Sequence, residues 1–154
     1  MKPKICIVQA DYYPTITSKL FKGAANELKG KCATPRDLKG FSPSRWNVPG
    51  IFEIPVIIAK NINSYDAFVA LGCVIKGETP HFEIISKATI NAIMDLSVKF
   101  NKPIGNGIIT CLNKKQALER ADPTKRNKGG EAASAVLSVL GILKDESKWS
   151  SSES

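Results

Sequence analysis

The chain contains 154 residues, of which 43% are hydrophobic and 23% are charged. This composition provides enough apolar side chains for one folded core and excludes an intrinsically disordered chain. No apolar run reaches the roughly 18 residues that a membrane-spanning helix needs, and the first apolar stretch is too short for a secretory signal. We therefore expect a cytoplasmic protein that does not associate with a membrane.

Positive charge is concentrated in two segments of the chain. Lys and Arg total 22 against 14 Asp and Glu, and residues 19–45 carry seven positive and two negative side chains. Residues 114–128 carry six positive and two negative side chains. Such segments attract nucleic acid, an acidic partner or a small phosphorylated substrate, or they are ordinary solvated surface. Neither segment interleaves aromatic residues with its charges, so only charge suggests nucleic-acid binding.

Apolar runs and helical periodicity predict that strands and helices alternate along the chain. Strands are predicted at 5–8, 67–75 and 104–110, and helices at 15–28, 56–59, 80–100, 114–121 and 129–143. Residues 30–47 resemble a loop, with a short extended piece at 46–48. Because the strands are continuous apolar runs, we predict a parallel sheet of about four strands between helices, a three-layer α/β/α sandwich. One domain spans 1–143, and 144–154 is a polar, frayed tail.

Cysteine and histidine usage argues against a metal site. The four cysteines are far apart, and His81 is the only histidine. Zinc sites need clustered ligands, so we expect reduced thiols buried as small apolar groups and no metal.

The segment from Ile75 to His81 is the most informative stretch for chemistry. A buried strand ends, Gly77 allows a turn, and a helix follows with Thr79 as the predicted N-cap and Pro80 in the first helical position. The first amides of a helix attract anions, so the segment is either a phosphate cradle or an ordinary strand-to-helix turn. His81 is either a neutral imidazole that exchanges protons or a structural residue.

Three further residues lie near predicted strand or helix ends. Tyr12 offers a flat face for a ring ligand or simply covers the core. Glu53 accepts hydrogen bonds from hydroxyl groups or is a surface carboxylate at a helix start. Arg120 can clamp a phosphate through paired hydrogen bonds, whereas the neighbouring Lys125 and Arg126 resemble solvated charge.

Three sequence blocks resemble the lumazine synthase family. The first two are Val48–Pro55 (V-P-G-I-F-E-I-P) and Leu71–Glu83 (L-G-C-V-I-K-G-E-T-P-H-F-E). The third consists of Gln116–Ala121 followed by Asn127–Ala133. The blocks occur in the order and spacing of the family, and the similarity extends from Ile5 to Leu143. The resemblance implies a flavodoxin-like strand order.

The resemblance also implies a reaction in riboflavin biosynthesis. In this family, 5-amino-6-(D-ribitylamino)uracil condenses with 3,4-dihydroxy-2-butanone 4-phosphate, without a cofactor, to give 6,7-dimethyl-8-ribityllumazine, phosphate and water. By motif position, His81 is the proton-transfer residue. The pyrimidine substrate would contact Tyr12, Ile51, Phe52, Glu53, Cys73, Val74, Ile75 and Asn106. The phosphorylated ketone would contact Glu78, Thr79, Arg120 and Lys128.

Members of the family are pentamers, some of which assemble into decamers or sixty-subunit shells. The resemblance therefore implies that Asn106 and Arg120 reach into a neighbouring subunit's site, and we favour a pentamer or decamer here. The chain departs from the family in Tyr12, where most members have Phe or Trp, in Lys76, where many have Arg, and in lacking an apolar second strand within 30–47. A non-catalytic flavin- or lumazine-binding module is the competing hypothesis.

Overall fold

The computed structural model describes residues 2–33 and 44–145 and contains four strands and five α-helices in those ranges. In chain order they are β1 (Ile5–Ala10), α1 (Pro14–Leu28), β2 (Ser44–Val48), α2 (Ile54–Lys60), β3 (Ala67–Ile75), α3 (His81–Phe100), β4 (Ile104–Cys111), α4 (Lys114–Ala121) and α5 (Lys128–Lys144). A short 3-10 turn at Ile51–Glu53 precedes α2. The predicted tail beyond residue 145 lies outside the described residues.

The strands form one parallel sheet in the order β2-β1-β3-β4. This confirms the predicted parallel sheet and the flavodoxin-like order. All six residues of β1 and the first seven of β3 are buried, as expected of central strands with helices on both faces. The chain order places the carboxyl ends of β1, β2 and β3 along one edge of the sheet.

Two apolar clusters separate the helices into two layers. On one face, Ile5, Ile7 and Val69 pack under α1, α4 and α5, and the predicted apolar stripe of α1 is fully buried there. On the other face, Cys6, Val8 and other alternate strand residues pack under α2 and α3. This arrangement is the predicted α/β/α sandwich. Among the described residues, no helix is both long and apolar enough to cross a bilayer.

The prediction for residues 30–47 is confirmed in part where the chain is described. Residues 30–33 form neither helix nor strand, and the extended piece predicted at 46–48 is present, but it begins two residues earlier, where a loop was predicted. Ser44–Val48 forms β2, which pairs in parallel with β1 along its whole length. β2 is an edge strand whose middle residues are exposed, so burial does not select an apolar run there. The guanidinium of Arg45 lies 4.2 Å from the centre of the Phe21 ring, a cation–π contact that ties β2 to α1. Residues 34–43 lie outside the described residues.

Close contact between α1 and α5 depends on glycine. A Cβ atom at Gly129 would lie 2.8 Å from the carbonyl carbon of Leu20 and closer still to its oxygen, whereas a Cβ at Gly141 on the same helix meets no atom within 4 Å. We therefore predict that Gly129→Ala lowers the free energy of unfolding by at least about 1–3 kcal/mol, because backbone must move. Urea denaturation measures the change.

Gly141→Ala is the matched control for that substitution. It should raise the free energy of unfolding by about 0.5–1 kcal/mol, since alanine favours helix and meets no obstacle. Equal effects of the two substitutions would contradict the close helix contact.

Candidate functional site

A hollow of about 520 Å³ lies at the carboxyl ends of β1, β2 and β3. Its walls include the strand-to-helix turns that follow β1 and β3 and the turn between β2 and α2. Tyr12, Glu53, Thr79 and His81 all line it. The predicted residues Ile51, Phe52, Cys73, Val74 and Ile75 line it as well. Nine of the predicted site residues therefore share one cavity, which we call the main hollow.

One carboxylate shapes the wall between β2 and α2. The Glu53 side chain turns back, and its Oε1 accepts a hydrogen bond of 2.9 Å from the backbone N–H of Gly50. A further bond, from Asp11 N–H to Val48 O at 2.9 Å, joins the ends of β1 and β2. The second carboxylate oxygen of Glu53 has no partner in the described residues, so it can accept a hydrogen bond from a ligand hydroxyl.

Two aromatic rings stand open on the main hollow. Tyr12 is 71% exposed and Phe52 is 60% exposed, so both rings are accessible in this chain. The Tyr12 ring packs edge-on against Tyr13, with 4.9 Å between ring centres and an interplanar angle of 76°. Tyr13 also lines the hollow. Its burial raises the pKa of its hydroxyl, with smaller contributions from Tyr12 and Cys73.

The floor of the main hollow is apolar and its thiol stays protonated. Burial raises the pKa of the Cys73 thiol to about 12, and the neighbouring Cys111 thiol contributes further. A thiolate is therefore scarce at neutral pH, and Cys73 acts as a small apolar contact. The imidazole of His81, the first residue of α3, also lines the hollow.

The turn that leads into α3 differs from the prediction in its cap. α3 begins at His81, the N-cap is Pro80, and no side chain caps the helix, so the prediction of Thr79 as N-cap is wrong. Pro80 has a ψ of 2°, which leaves it outside the helix, and its carbonyl accepts from the N–H groups of Glu83 and Ile84. Because no side chain occupies the helix start, its first N–H groups stay available to an anion.

Glu78 lies beside the main hollow and not in it. It lines a smaller hollow with Lys76 and Pro80, which shares Gly77, Thr79 and Phe82 with the main one. Glu78 is thus close to the predicted phosphate position, in a hollow next to the main one.

The remaining predicted residues lie in a separate cavity of about 460 Å³ beside the edge strand β4. Asn106, Arg120 and Lys128 line this cavity, which we call the cationic hollow, together with Arg126 and Glu131. Arg120 is oriented by a hydrogen bond of 2.9 Å from its Nη1 to the carbonyl oxygen of Thr110. Lys128 pairs with Glu131, with 3.3 Å between Nζ and Oε2. The two hollows have no lining residue in common.

Asn106 lies inside β4, in agreement with the strand predicted at 104–110. It is the third residue of β4, where its Oδ1 accepts a hydrogen bond of 3.1 Å from the N–H of Ile108. No role was predicted for Tyr13 and Phe82, which line the main hollow, or for Arg126, which lines the cationic hollow. The adjacency of Tyr13 to Tyr12 and the position of Phe82 next to His81 were available signals; for Arg126 there was only charge.

Comparison with known proteins assigns a family relationship to almost the whole chain. The profile of the 6,7-dimethyl-8-ribityllumazine synthase family matches residues 2–144. The 6,7-dimethyl-8-ribityllumazine synthase of Bartonella tribocorum is 45% identical over 146 residues, which cover 93% of this chain and 91% of that protein. Synthase 1 of Rhodopseudomonas palustris is 46% identical, with 90% and 85% covered. The Sphingopyxis alaskensis synthase is 42% identical, with 90% and 93% covered.

The protonated thiol on the floor predicts a loss of stability in alkali. The pKa of Cys73 is about 12 in the folded chain against an ordinary 9.0, so its contribution is complete below pH 9 and lost as pH rises towards 12. At pH 10 the loss should be on the order of 1 kcal/mol in free energy of unfolding. Urea denaturation at pH 8 and pH 10 should show a smaller drop for Cys73→Ala than for the unchanged protein.

Cys6→Ala provides an independent check, because burial also raises the pKa of Cys6 to about 12. It should reduce the alkaline drop by a similar amount. An equal drop in the unchanged protein, Cys73→Ala and Cys6→Ala would contradict the conclusion that burial raises the pKa of these two thiols.

Proposed function

Because the chain belongs to the 6,7-dimethyl-8-ribityllumazine synthase family, we propose that it condenses 5-amino-6-(D-ribitylamino)uracil with 3,4-dihydroxy-2-butanone 4-phosphate. The products are 6,7-dimethyl-8-ribityllumazine, phosphate and water, in the penultimate step of riboflavin biosynthesis. The observation that carries the proposal is that Tyr12, Glu53, Thr79 and His81 line one cavity. That cavity offers a ring face, a hydroxyl acceptor, an anion site and a proton-transfer group.

The pyrimidine substrate occupies the apolar part of the main hollow. Its ring stacks on the exposed face of Tyr12, and Cys73, Val74 and Ile75 form the floor beneath it. Phe52 and the carboxylate of Glu53 hold the ribityl chain, which carries several hydroxyl groups. The anchoring of Glu53 by Gly50 N–H supports this role, because a preoriented acceptor loses little freedom on binding.

The phosphorylated ketone binds at the start of α3. Thr79 and the uncapped N–H groups of the helix hold its phosphate, and Glu78 lies in the hollow next to the main one. Imine formation and loss of phosphate both require proton transfers at this end of the cavity. His81, the first residue of α3, lines the cavity there and supplies the imidazole for those transfers.

A second subunit completes the site. Arg120, Lys128 and Asn106 lie in the cationic hollow, apart from the main hollow of the same chain. In a ring of identical subunits, one surface of each chain meets a different surface of the next, so the cationic hollow of one subunit can face the main hollow of its neighbour. We propose a pentamer, alone or paired into a decamer, in which Arg120 binds the neighbour's phosphate.

The buried cysteines bear on the compartment in which the proposed reaction takes place. We propose one catalytic domain over 1–143 in the cytoplasm, where Cys6, Cys73 and Cys111 persist as buried thiols. A flavin- or lumazine-binding module without activity would also use the apolar floor. The retention of His81 in the main hollow and Arg120 in the cationic hollow favours catalysis.

Turnover with purified protein tests the catalytic proposal. Mixing it with the two substrates should produce lumazine absorbance, and His81→Ala should lower kcat by about 10²–10⁴-fold, because the proton-transfer group is lost. His81→Gln, which keeps polarity and size but transfers no proton, should behave like His81→Ala. Binding of lumazine without any turnover by the unchanged protein would establish the binding module instead, and unchanged kcat in both variants would remove His81 from the mechanism.

Subunit complementation tests the shared site. Arg120→Ala should raise the KM for the phosphorylated ketone, so at low ketone concentration both Arg120→Ala and His81→Ala are nearly inactive. When the two variants are refolded together, about a quarter of the interfaces should join an intact His81 to an intact Arg120 and regain activity. Refolding each variant alone is the control. An active monomer by light scattering, or no gain on mixing, would contradict the shared site.

A further inference from the structure

The cationic hollow contains an arginine to which nothing above assigns a role. Arg126 lines it together with Arg120 and Lys128, and the hollow also contains the carboxylate of Glu131. The formal charge of these four side chains is two positive. A phosphate monoester carries about −1.5 to −2 charges at neutral pH, so the charge of the hollow is opposite in sign to that of such a group and similar in magnitude.

The turn between α4 and α5 holds Arg126 in place. The Oδ1 of Asp122 accepts hydrogen bonds from the N–H of Thr124 at 2.9 Å and from its hydroxyl at 2.8 Å. The backbone carbonyl of Asp122 accepts from the N–H groups of Lys125 and Asn127, each at 3.0 Å. The backbone N–H of Arg126 donates to the carbonyl oxygen of Glu119 at 3.3 Å. These bonds hold the backbone on both sides of Arg126.

Arg126 is also the cation whose donors are most available. One nitrogen of Arg120 already donates to Thr110, and Lys128 is paired with Glu131. Within residues 2–33 and 44–145, no carboxylate, carbonyl or ring contacts the guanidinium of Arg126. All five of its N–H donors remain available for an anion, and a guanidinium can bind a phosphate through two of them.

From this arrangement we infer that Arg126 is a specificity-determining residue that binds the phosphate of the ketone substrate beside Arg120. The inference rests on the function proposed above, since the phosphate belongs to a substrate bound by the neighbouring subunit. Arg126 contributes to binding and not to proton transfer. Its loss therefore weakens binding of the phosphorylated ketone and of inorganic phosphate, and leaves binding of the pyrimidine substrate and the value of kcat unchanged.

Kinetics of Arg126→Gln and Lys125→Gln test the inference. Lys125 is the adjacent residue, has the same charge and does not line the hollow, so its loss controls for a general change in surface charge. Arg126→Gln should raise the KM for the phosphorylated ketone, and the inhibition constant for inorganic phosphate, by about fivefold. The KM for the pyrimidine and kcat should stay unchanged, and Lys125→Gln should change none of these values.

Two results would overturn the inference: an Arg126→Gln variant that matches the unchanged protein, or equal rises in KM for both variants. If the unchanged protein shows no turnover, the proposed function fails first. Calorimetric binding of inorganic phosphate then tests Arg126 alone. Weaker binding by Arg126→Gln than by Lys125→Gln would support the role of Arg126 as an anion ligand, and equal binding would refute it.

Discussion

Parallel pairing of β1 with both β2 and β3 is the constraint on which the main hollow depends. Parallel strands bring their carboxyl ends to one edge, so three segments far apart in the chain meet there. The bond from Asp11 N–H to Val48 O then fixes the spacing between the loops after β1 and β2. Tyr12 and Glu53 line one cavity as a consequence of this pairing.

The same burial that makes the strands stable determines the chemistry of the floor. Strand residues that are covered on both faces provide a low-dielectric surface, and there the Cys73 thiol keeps its proton at neutral pH. Burial likewise raises the pKa of Tyr13. The floor therefore offers an apolar surface that suits the flat ring of the proposed pyrimidine substrate. In the proposed reaction, proton transfer falls to His81, the first residue of α3, which also lines the cavity.

Most of the fold could be predicted because central strands and packed helices leave strong patterns. The bounds predicted for β3 agree with those observed, and the predicted apolar stripe of α1 is buried as a unit. Only the last three residues of β2 were predicted as extended, because an exposed edge strand is selected by backbone pairing and by a contact such as Arg45 on Phe21, neither of which produces an apolar run. Thr79 has the side chain of a typical N-cap, but Pro80 occupies that position, and composition cannot distinguish the two.

The site was predictable to a lesser degree, because its residues respond to different constraints. Those of the main hollow follow strand ends, which the sequence marks clearly. Those of the cationic hollow depend on the edge of β4 and on the turn before α5, where charge alone is visible. Three cations placed together repel one another, and only Glu131 compensates within the described part of the chain. A cluster of this kind costs stability in the isolated chain, and an anion relieves that cost. Glu131 offsets one of the three positive charges, and the two that remain support the proposal that the phosphate of another subunit's substrate binds here.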